Sequence, residues 1–448
     1  MTTRNLEVRL ETFNDAIGHL ISTDNGDATF SYSEQYLNRA HRVPVSLALP
    51  LRPEPFDDQP TRAFFDNLLP ENDQLRQVME REGLDRTDIV GLLYYLGSDC
   101  PGALSCIPFG EEPLKIPGVM PADYDALDAK DVEEIVRRLA DRLPLPNEMR
   151  DPSPIAGVQQ KIAITLLPDG KLGMPKKGLR VPTTHILKVP RRGKGREARL
   201  ETAAAQLADA VGLDVAIPEL LQIDDLNAIL IARFDRKIDD QGNVLRIHQE
   251  DFAQALGLPA SLKYQRHGRR GRIFDAAAIA RLLDLTAIPA SSKRQFLAAA
   301  FFNMMVGNTD NHAKNHALLY DRGAVPRLAP LYDILPIRLD GSVSHQFSFN
   351  VGSSENFDAL TRTDVEAFMA TFGIGKTAAE RFYSERVGPI AEMLDSAAES
   401  LTRNGLKDFD DLIGREICRL TDILGLTLSI RGRDYFTPTA GGWALDNS

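Results

Sequence analysis

Apolar and charged residues alternate in Leu6-Glu7-Val8-Arg9-Leu10, the period-two pattern of a strand with one buried face. The turn residues Asp24-Asn25-Gly26-Asp27 precede a second β-like run, Ala28-Thr29-Phe30-Ser31-Tyr32. Mixed with helical segments, these runs predict a small α+β domain over 1–110. Proline-rich stretches at 111–122 and 142–154 read as linker, and the helical spacing of apolar residues in Asp131-Val132-Glu133-Glu134-Ile135-Val136-Arg137-Arg138-Leu139 predicts a connecting helix, so 111–150 is taken as a linker segment. Two strands follow, Lys161-Ile162-Ala163-Ile164-Thr165-Leu166 and His185-Ile186-Leu187-Lys188-Val189, then an alanine-rich helix at 201–211 ending at Gly212, and a buried strand at 228–234. From Gln249 onward helical patterns dominate, including 292–306 and 363–400. The pattern therefore divides into a β-rich lobe over 151–237 and a larger helical lobe over 238–448.

At 448 residues the chain is long enough for several cores. Its 43% hydrophobic and 26% charged residues suit a globular protein, and no run of about 20 apolar residues exists to cross a bilayer. The N-terminus lacks the apolar run of a secretory signal, which predicts a cytoplasmic location with no membrane partner. Cys100, Cys106 and Cys418 have no CxxC spacing and read as free thiols. A net charge of −11 opposes extended contact with nucleic acid. Two basic, glycine-rich runs stand out against it, 191–196 and 266–272, both read as loops open to solvent or to an anionic partner.

Phosphoryl transfer needs donors for the phosphates, a cation, oxygen ligands for magnesium and a carboxylate near the attacking hydroxyl. Asp310 and Asn315 have the Asp-x4-Asn spacing that ends a protein-kinase catalytic loop, with Asp as base and Asn as metal ligand. Asp333, in Leu331-Tyr332-Asp333-Ile334, stands where a kinase places its second metal-binding Asp. Upstream, Lys188 ends an apolar strand and Glu201 opens the helix after it, the order of the ion pair that orients nucleotide phosphates. The segment Ala156-Gly157-Val158-Gln159-Gln160-Lys161 would cover the phosphates, because glycine lets backbone N–H groups approach oxygen. A β-rich lobe followed by a helical one is also the arrangement of protein kinases.

The motifs Pro154 to Lys161, Pro182-Thr183-Thr184-His185-Ile186-Leu187-Lys188, Arg233-Phe234-Asp235-Arg236, Gln249-Glu250-Asp251-Phe252, Asn308-Thr309-Asp310-Asn311-His312-Ala313-Lys314-Asn315 and Leu328-Ala329-Pro330-Leu331-Tyr332-Asp333 resemble, in order, those of the HipA family of serine/threonine protein kinases. Ser46-Leu47-Ala48-Leu49-Pro50-Leu51-Arg52 and Phe64-Phe65-Asp66-Asn67-Leu68-Leu69-Pro70 extend the likeness toward the N-terminus. The resemblance implies an α+β, protein-kinase-like two-lobed fold behind an extra N-terminal α+β domain, with ATP and Mg2+ as cofactors. It implies Asp310 as catalytic base with His312 and Lys314 in support, and Asn315 and Asp333 as metal ligands. Lys188, Lys161, Glu201 and the loop Ala156, Gly157, Val158 and Gln159 would serve the phosphates, with Ile231 and Phe234 at the nucleotide hinge. It further implies a toxin that phosphorylates a translation component, such as an aminoacyl-tRNA synthetase of the glutamyl type. Its partner would be a small helix-turn-helix antitoxin, HipB-like, through which operator DNA is reached. The family's usual autophosphorylated serine falls at Pro154; either Ser153 takes the role through a shifted loop or that inhibition is absent.

Each residue alone has an ordinary explanation. Asp310 reads as a turn or cap, Lys188 as a solvated strand end, Glu201 as a first-turn residue favoured by the helix dipole, and Arg233 to Arg236 as a salt-bridged strand exit. His312 and His316 have the spacing of helical zinc ligands, but the Glu of HExxH is missing. A catalytically weak co-repressor acting through a DNA-binding partner is the alternative from another class.

Overall fold

Leu6, Val8 and Leu10 turn inward from strand Asn5–Leu10 and are fully buried, as their alternation requires. In this computed structural model, which describes residues 4–11, 13, 15–23, 25–70, 73–111, 116–146 and 160–432, that strand lies third in an antiparallel sheet. The sheet order is Ala28–Tyr32, Gly18–Ser22, Asn5–Leu10, Leu104–Pro108. Helices Asp58–Phe65 and Ile89–Leu96 contribute Phe64, Phe65, Leu92 and Leu93 to the same core.

A second antiparallel sheet has six strands, ordered Pro218–Ile223, Leu226–Ala232, His185–Val189, Gln160–Leu166, Leu172–Pro175, Tyr124–Ala126. One face carries Ile162, Ile164, Leu187, Val189, Ala228 and Leu230, which pack against Ile135, Val136 and Leu139 of helix Ala129–Ala140. The segment expected as linker thus holds the expected helix, and it also supplies an edge strand of the lobe. The sheet's other face looks toward helix Arg196–Ala210. That helix begins before the predicted start at Glu201, because Gly195 enters it in helical geometry with no capping side chain to mark the boundary. Glu201 consequently lies inside the helix rather than at its first turn.

The largest core belongs to the helical lobe. Helix Pro289–Met305 is buried continuously from Phe296 to Met305, so that part has no polar face and serves as the lobe's central rod. Around it pack Gly388–Arg403 and Lys407–Leu424. The acidic stretch read as helical over 363–400 is two helical segments separated by a left-handed turn at Gly373: Arg362–Thr371, and then Lys376–Phe382 running through a π-helical turn at Tyr383–Val387 into Gly388–Arg403. Among the described residues no helix is long and apolar enough to cross a membrane.

Buried polar contacts fix the N-terminal domain to the rest. Arg246 donates to Glu11 at 2.5 Å and to Asp99 at 2.8 Å, with all three side chains almost fully buried. Asp235 accepts from Arg233 at 2.8 and 2.9 Å and from the Gly102 backbone N–H at 2.9 Å. The strand exit read from Arg233 to Arg236 is therefore salt-bridged, and it reaches across to the N-terminal domain as well.

Candidate active site

Because side chains alternate along a strand, Leu187 and Val189 point into the core while Ile186 and Lys188 point to the opposite, cleft-facing side. Cross-strand register extends that side: Lys161 and Ile229 stand opposite Lys188, and Ala163 and Ile231 stand opposite Ile186. One face thus presents two lysines beside an apolar row of Ala163, Ile186 and Ile231. The arrangement offers cations for phosphates and a flat apolar surface for a base.

Lys188 is buried. Its ammonium donates to Glu201 Oε1 and Oε2 at 2.8 and 2.7 Å and to Asp333 Oδ1 at 2.7 Å. Burial by itself would lower the Lys188 pKa, but the two carboxylates outweigh it and raise the value, so the amine stays charged. Burial pushes the Glu201 carboxyl up. The Lys188 charge holds Asp333 at about 2. Asp333 has a left-handed backbone, φ 57°, uncommon for a side chain other than glycine, asparagine or aspartate. Two backbone hydrogen bonds fix the segment that presents it, Ala216 N–H to Leu331 O and Leu331 N–H to Asp214 O, both 2.8 Å. The Asp333 side chain remains 48% exposed, open to the cleft.

The loop bearing Asp310 leaves the central helix through Gly307. Its φ is 72°, and a Cβ there would lie 2.8 Å from Leu412 Cδ2, so the sharp exit requires glycine. Asn308 Oδ1 accepts from the Asp310 N–H at 3.2 Å, and Asn315 Nδ2 donates to the Asp310 carbonyl at 2.8 Å. The Asp-x4-Asn spacing therefore closes the loop on itself. Asp310 Oδ1 accepts a hydrogen bond from the Tyr264 hydroxyl at 2.7 Å, and the Tyr264 ring meets His312 edge to face at 5.2 Å. Behind the loop, strand Ala317–Leu319 pairs with Gln249–Asp251 and Arg327–Leu328.

Lys314 turns toward the N-terminal domain. Its ammonium donates to Asn67 Oδ1 at 3.0 Å and Asn67 O at 3.2 Å and lies 3.5 Å from Asp251. Phe234 lies against Tyr332 at 5.4 Å, within a small apolar cluster behind Asp333. His312 and His316 flank one tight turn, Ala313–Asn315, rather than sharing a helix face. His316 stacks on Phe252 at 5.1 Å and packs near Phe296 at 5.3 Å, and burial lowers its pKa to about 3, so it serves the core as a neutral ring. Ser153, Pro154, Ala156, Gly157, Val158 and Gln159 lie outside the described residues.

Sequence reasoning gave no role to Tyr264, Asn67 or Glu250. Glu250 accepts from Ser46 Oγ at 2.5 Å, from the Leu47 N–H at 3.0 Å and from the Tyr320 hydroxyl. Asn67 and Glu250 sit in motifs already noted, Phe64 to Pro70 and Gln249 to Phe252. Only the fold shows that both brace the strand and loop around Asp310.

Among the described residues no three His, Cys, Asp or Glu side chains converge as a metal site. Asn315 and Asp333 supply an amide and a carboxylate, hard oxygen donors of the kind magnesium takes when substrate phosphates complete its shell.

Residues 153–398 match the family model described as the HipA-like C-terminal domain, and 6–107 match the HipA N-terminal domain. The chain is 34% identical over 397 residues to the putative kinase Y4mE of Sinorhizobium fredii, spanning 88% of this chain and 91% of that protein. It is 29% identical over 343 residues to the serine/threonine-protein kinase toxin HipA of Shewanella oneidensis, spanning 74% and 75% of the two chains. Among solved structures, HipA from the Shewanella oneidensis toxin–antitoxin complex of HipA, HipB and operator DNA superposes with a TM-score of 0.76 at 23% identity, covering 94% of this chain and 97% of that one, a likeness of fold. With both family models matched in order on a two-lobed fold carrying an N-terminal domain, this chain belongs to the HipA family of protein kinases.

Proposed function

We propose that the chain transfers the γ-phosphoryl group of ATP to a serine or threonine hydroxyl of a protein, acting as the toxin of a toxin–antitoxin pair. The observation that carries the reading is the buried Lys188 ammonium bridging Glu201 and Asp333, which joins the sheet, the helix and the Asp333 loop at one point.

Lys188, held in place by Glu201, receives the nucleotide phosphates, with Lys161 beside it on the next strand. Ile231, with Ala163 and Ile186, forms the surface for the base, and Phe234 supports the Asp333 loop from behind. The glycine-containing segment Ala156, Gly157, Val158 and Gln159 would serve the phosphates. Asn315 and Asp333 would hold magnesium, which when bound would neutralise charge on the triphosphate. Asp310 orients the acceptor hydroxyl and takes its proton, and Tyr264, packed against His312, fixes that carboxylate. Lys314 positions the loop by anchoring it to Asn67.

The named relatives support a regulatory setting. A HipB-like, small helix-turn-helix antitoxin would hold the chain and link it to operator DNA. The target would be a translation component of the aminoacyl-tRNA synthetase class in the cytoplasm, and Ser153 is the site proposed for self-phosphorylation. Incubation with γ-labelled ATP and magnesium in a lysate of the host, followed by phosphosite mapping, tests this. The reading expects serine or threonine phosphate on a translation protein with the wild type and none with Asp310→Ala. Equal labelling by both proteins would refute it.

A further inference from the structure

The two basic runs differ in how the fold uses them. In the first, Arg192 pairs with Asp141 and Asp225, and Arg196 pairs with Asp408. The second, 266–272, continues a segment that begins at Lys263, and the ten residues 263–272 carry five formal positive charges with no acidic residue among them, in a chain of net charge −11. Arg266, Arg269 and Arg270 are exposed and enter no ion pair among the described residues.

This segment borders the catalytic loop directly. The Lys263 carbonyl accepts from the Ala313 N–H at 3.1 Å, and the Tyr264 hydroxyl reaches Asp310. The Arg266 guanidinium lies over the Tyr264 ring, 4.0 Å from its centroid, and so sits one aromatic ring away from the carboxylate that meets the acceptor. The segment is built as well as basic. Gln265 Oε1 accepts from the Asn350 N–H at 2.7 Å, and Arg269 and Arg272 exchange backbone hydrogen bonds of 2.9 and 2.8 Å, closing a turn around Arg270 and Gly271. Gly271, with φ 76°, makes that turn possible.

We propose that this turn is the acceptor-side recognition surface, and that it selects a polypeptide with acidic residues beside the serine or threonine that is phosphorylated. The proposal rests on Asp310 as the residue that meets the acceptor hydroxyl. The exposed arginines of this turn attract carboxylates, and each carboxylate docked there fixes the register of the hydroxyl against Asp310. A nucleic acid fits less well. It requires a basic track long enough for several successive phosphates, whereas this patch is a single turn on an acidic molecule.

The test measures binding and turnover separately, with fluorescent serine peptides of equal length flanked by acidic, neutral or basic residues. In fluorescence anisotropy at low salt the acidic peptide should bind at least about tenfold more tightly than the neutral one, since several exposed charge pairs act together. The preference should vanish in the Arg269→Glu/Arg270→Glu variant and shrink as salt rises. With MgATP, the wild type should phosphorylate the acidic peptide with the higher kcat/KM. Equal affinity for the three peptides, or a preference retained in the charge-reversed variant, overturns the proposal. So does displacement of the acidic peptide by a short oligoribonucleotide at lower concentration than by unlabelled peptide. If the acidic peptide binds tightly and a neutral peptide is phosphorylated faster, the acceptor assignment falls while the kinase reading stands. If the wild type phosphorylates none of them and no lysate protein, the kinase reading itself fails.

Discussion

The Lys188 ammonium lies 2.7 Å from both Glu201 Oε2 and Asp333 Oδ1, so one buried cation ties the small lobe to the loop that carries the second proposed metal ligand. Removing it leaves Glu201 buried without its hydrogen-bonded counter-charge, which costs about 3 kcal/mol of stability. Lys188→Met should therefore melt at lower denaturant concentration and lose about 100-fold or more in phosphotransfer. The double variant Lys188→Met/Glu201→Gln removes the orphaned charge. It should recover most of the stability in urea unfolding and none of the activity, whereas recovery of both would show that Lys188 acts only in folding.

Tyr264 presents a different case, because only its hydroxyl touches Asp310 while its ring packs against Arg266 and His312. Tyr264→Phe keeps the ring and deletes a hydrogen bond to a charged group. Steady-state kinetics should show kcat lower by about tenfold, with KM for ATP and the melting temperature little changed. An unchanged kcat would mean that the hydroxyl does not position the carboxylate.

Asn67 belongs to the N-terminal domain but binds Lys314, next to Asn315. Asn67→Ala removes the Oδ1 partner of a buried ammonium and should cost about 1–3 kcal/mol in stability. Its folded fraction should also transfer phosphate more slowly. The comparison is Phe30→Leu, a change in the same domain's core, which should lower stability without slowing the protein that remains folded. Equal kcat in the two variants would contradict a positioning role for Asn67.

These relationships also mark what the sequence made legible. The cleft-facing direction of Lys188 follows from the period-two pattern of its strand, and the spacing of Asn315 to Asp310 marked both as parts of one loop, although the contact by which Asn315 closes that loop was not foreseen. Local pattern was informative in both places. The start of the helix at Arg196 was hidden because Gly195 is not a capping side chain. Contacts of Asn67 with Lys314, Glu250 with Ser46 and Tyr264 with Asp310 join distant parts of the chain, and no local periodicity encodes them. The two helical segments over 362–403 were read as one stretch because alanine and charged residues suit helix on both sides of the Gly373 turn.

Glu250 gives a prediction in pH. Burial pushes its carboxyl up to about 7, above the ordinary value of 4.5 expected in the unfolded chain. Between those values the folded state holds the proton more strongly, so this contribution is fully present below pH of about 4.5 and is lost as pH rises through about 7. Relative to Glu250→Gln, the wild type should lose on the order of 3 kcal/mol of unfolding free energy between pH of about 5 and about 8. Parallel pH dependences in urea unfolding would show that Glu250 is already ionised in the folded protein.

The most direct test of the account is phosphotransfer by the wild type and Asp310→Asn, with MgATP binding measured by calorimetry on the same samples. The variant should bind MgATP within about twofold of the wild type and transfer phosphate slower by about 100-fold or more, because only the group that orients the acceptor and takes its proton has changed. Transfer at the wild-type rate by Asp310→Asn would contradict it.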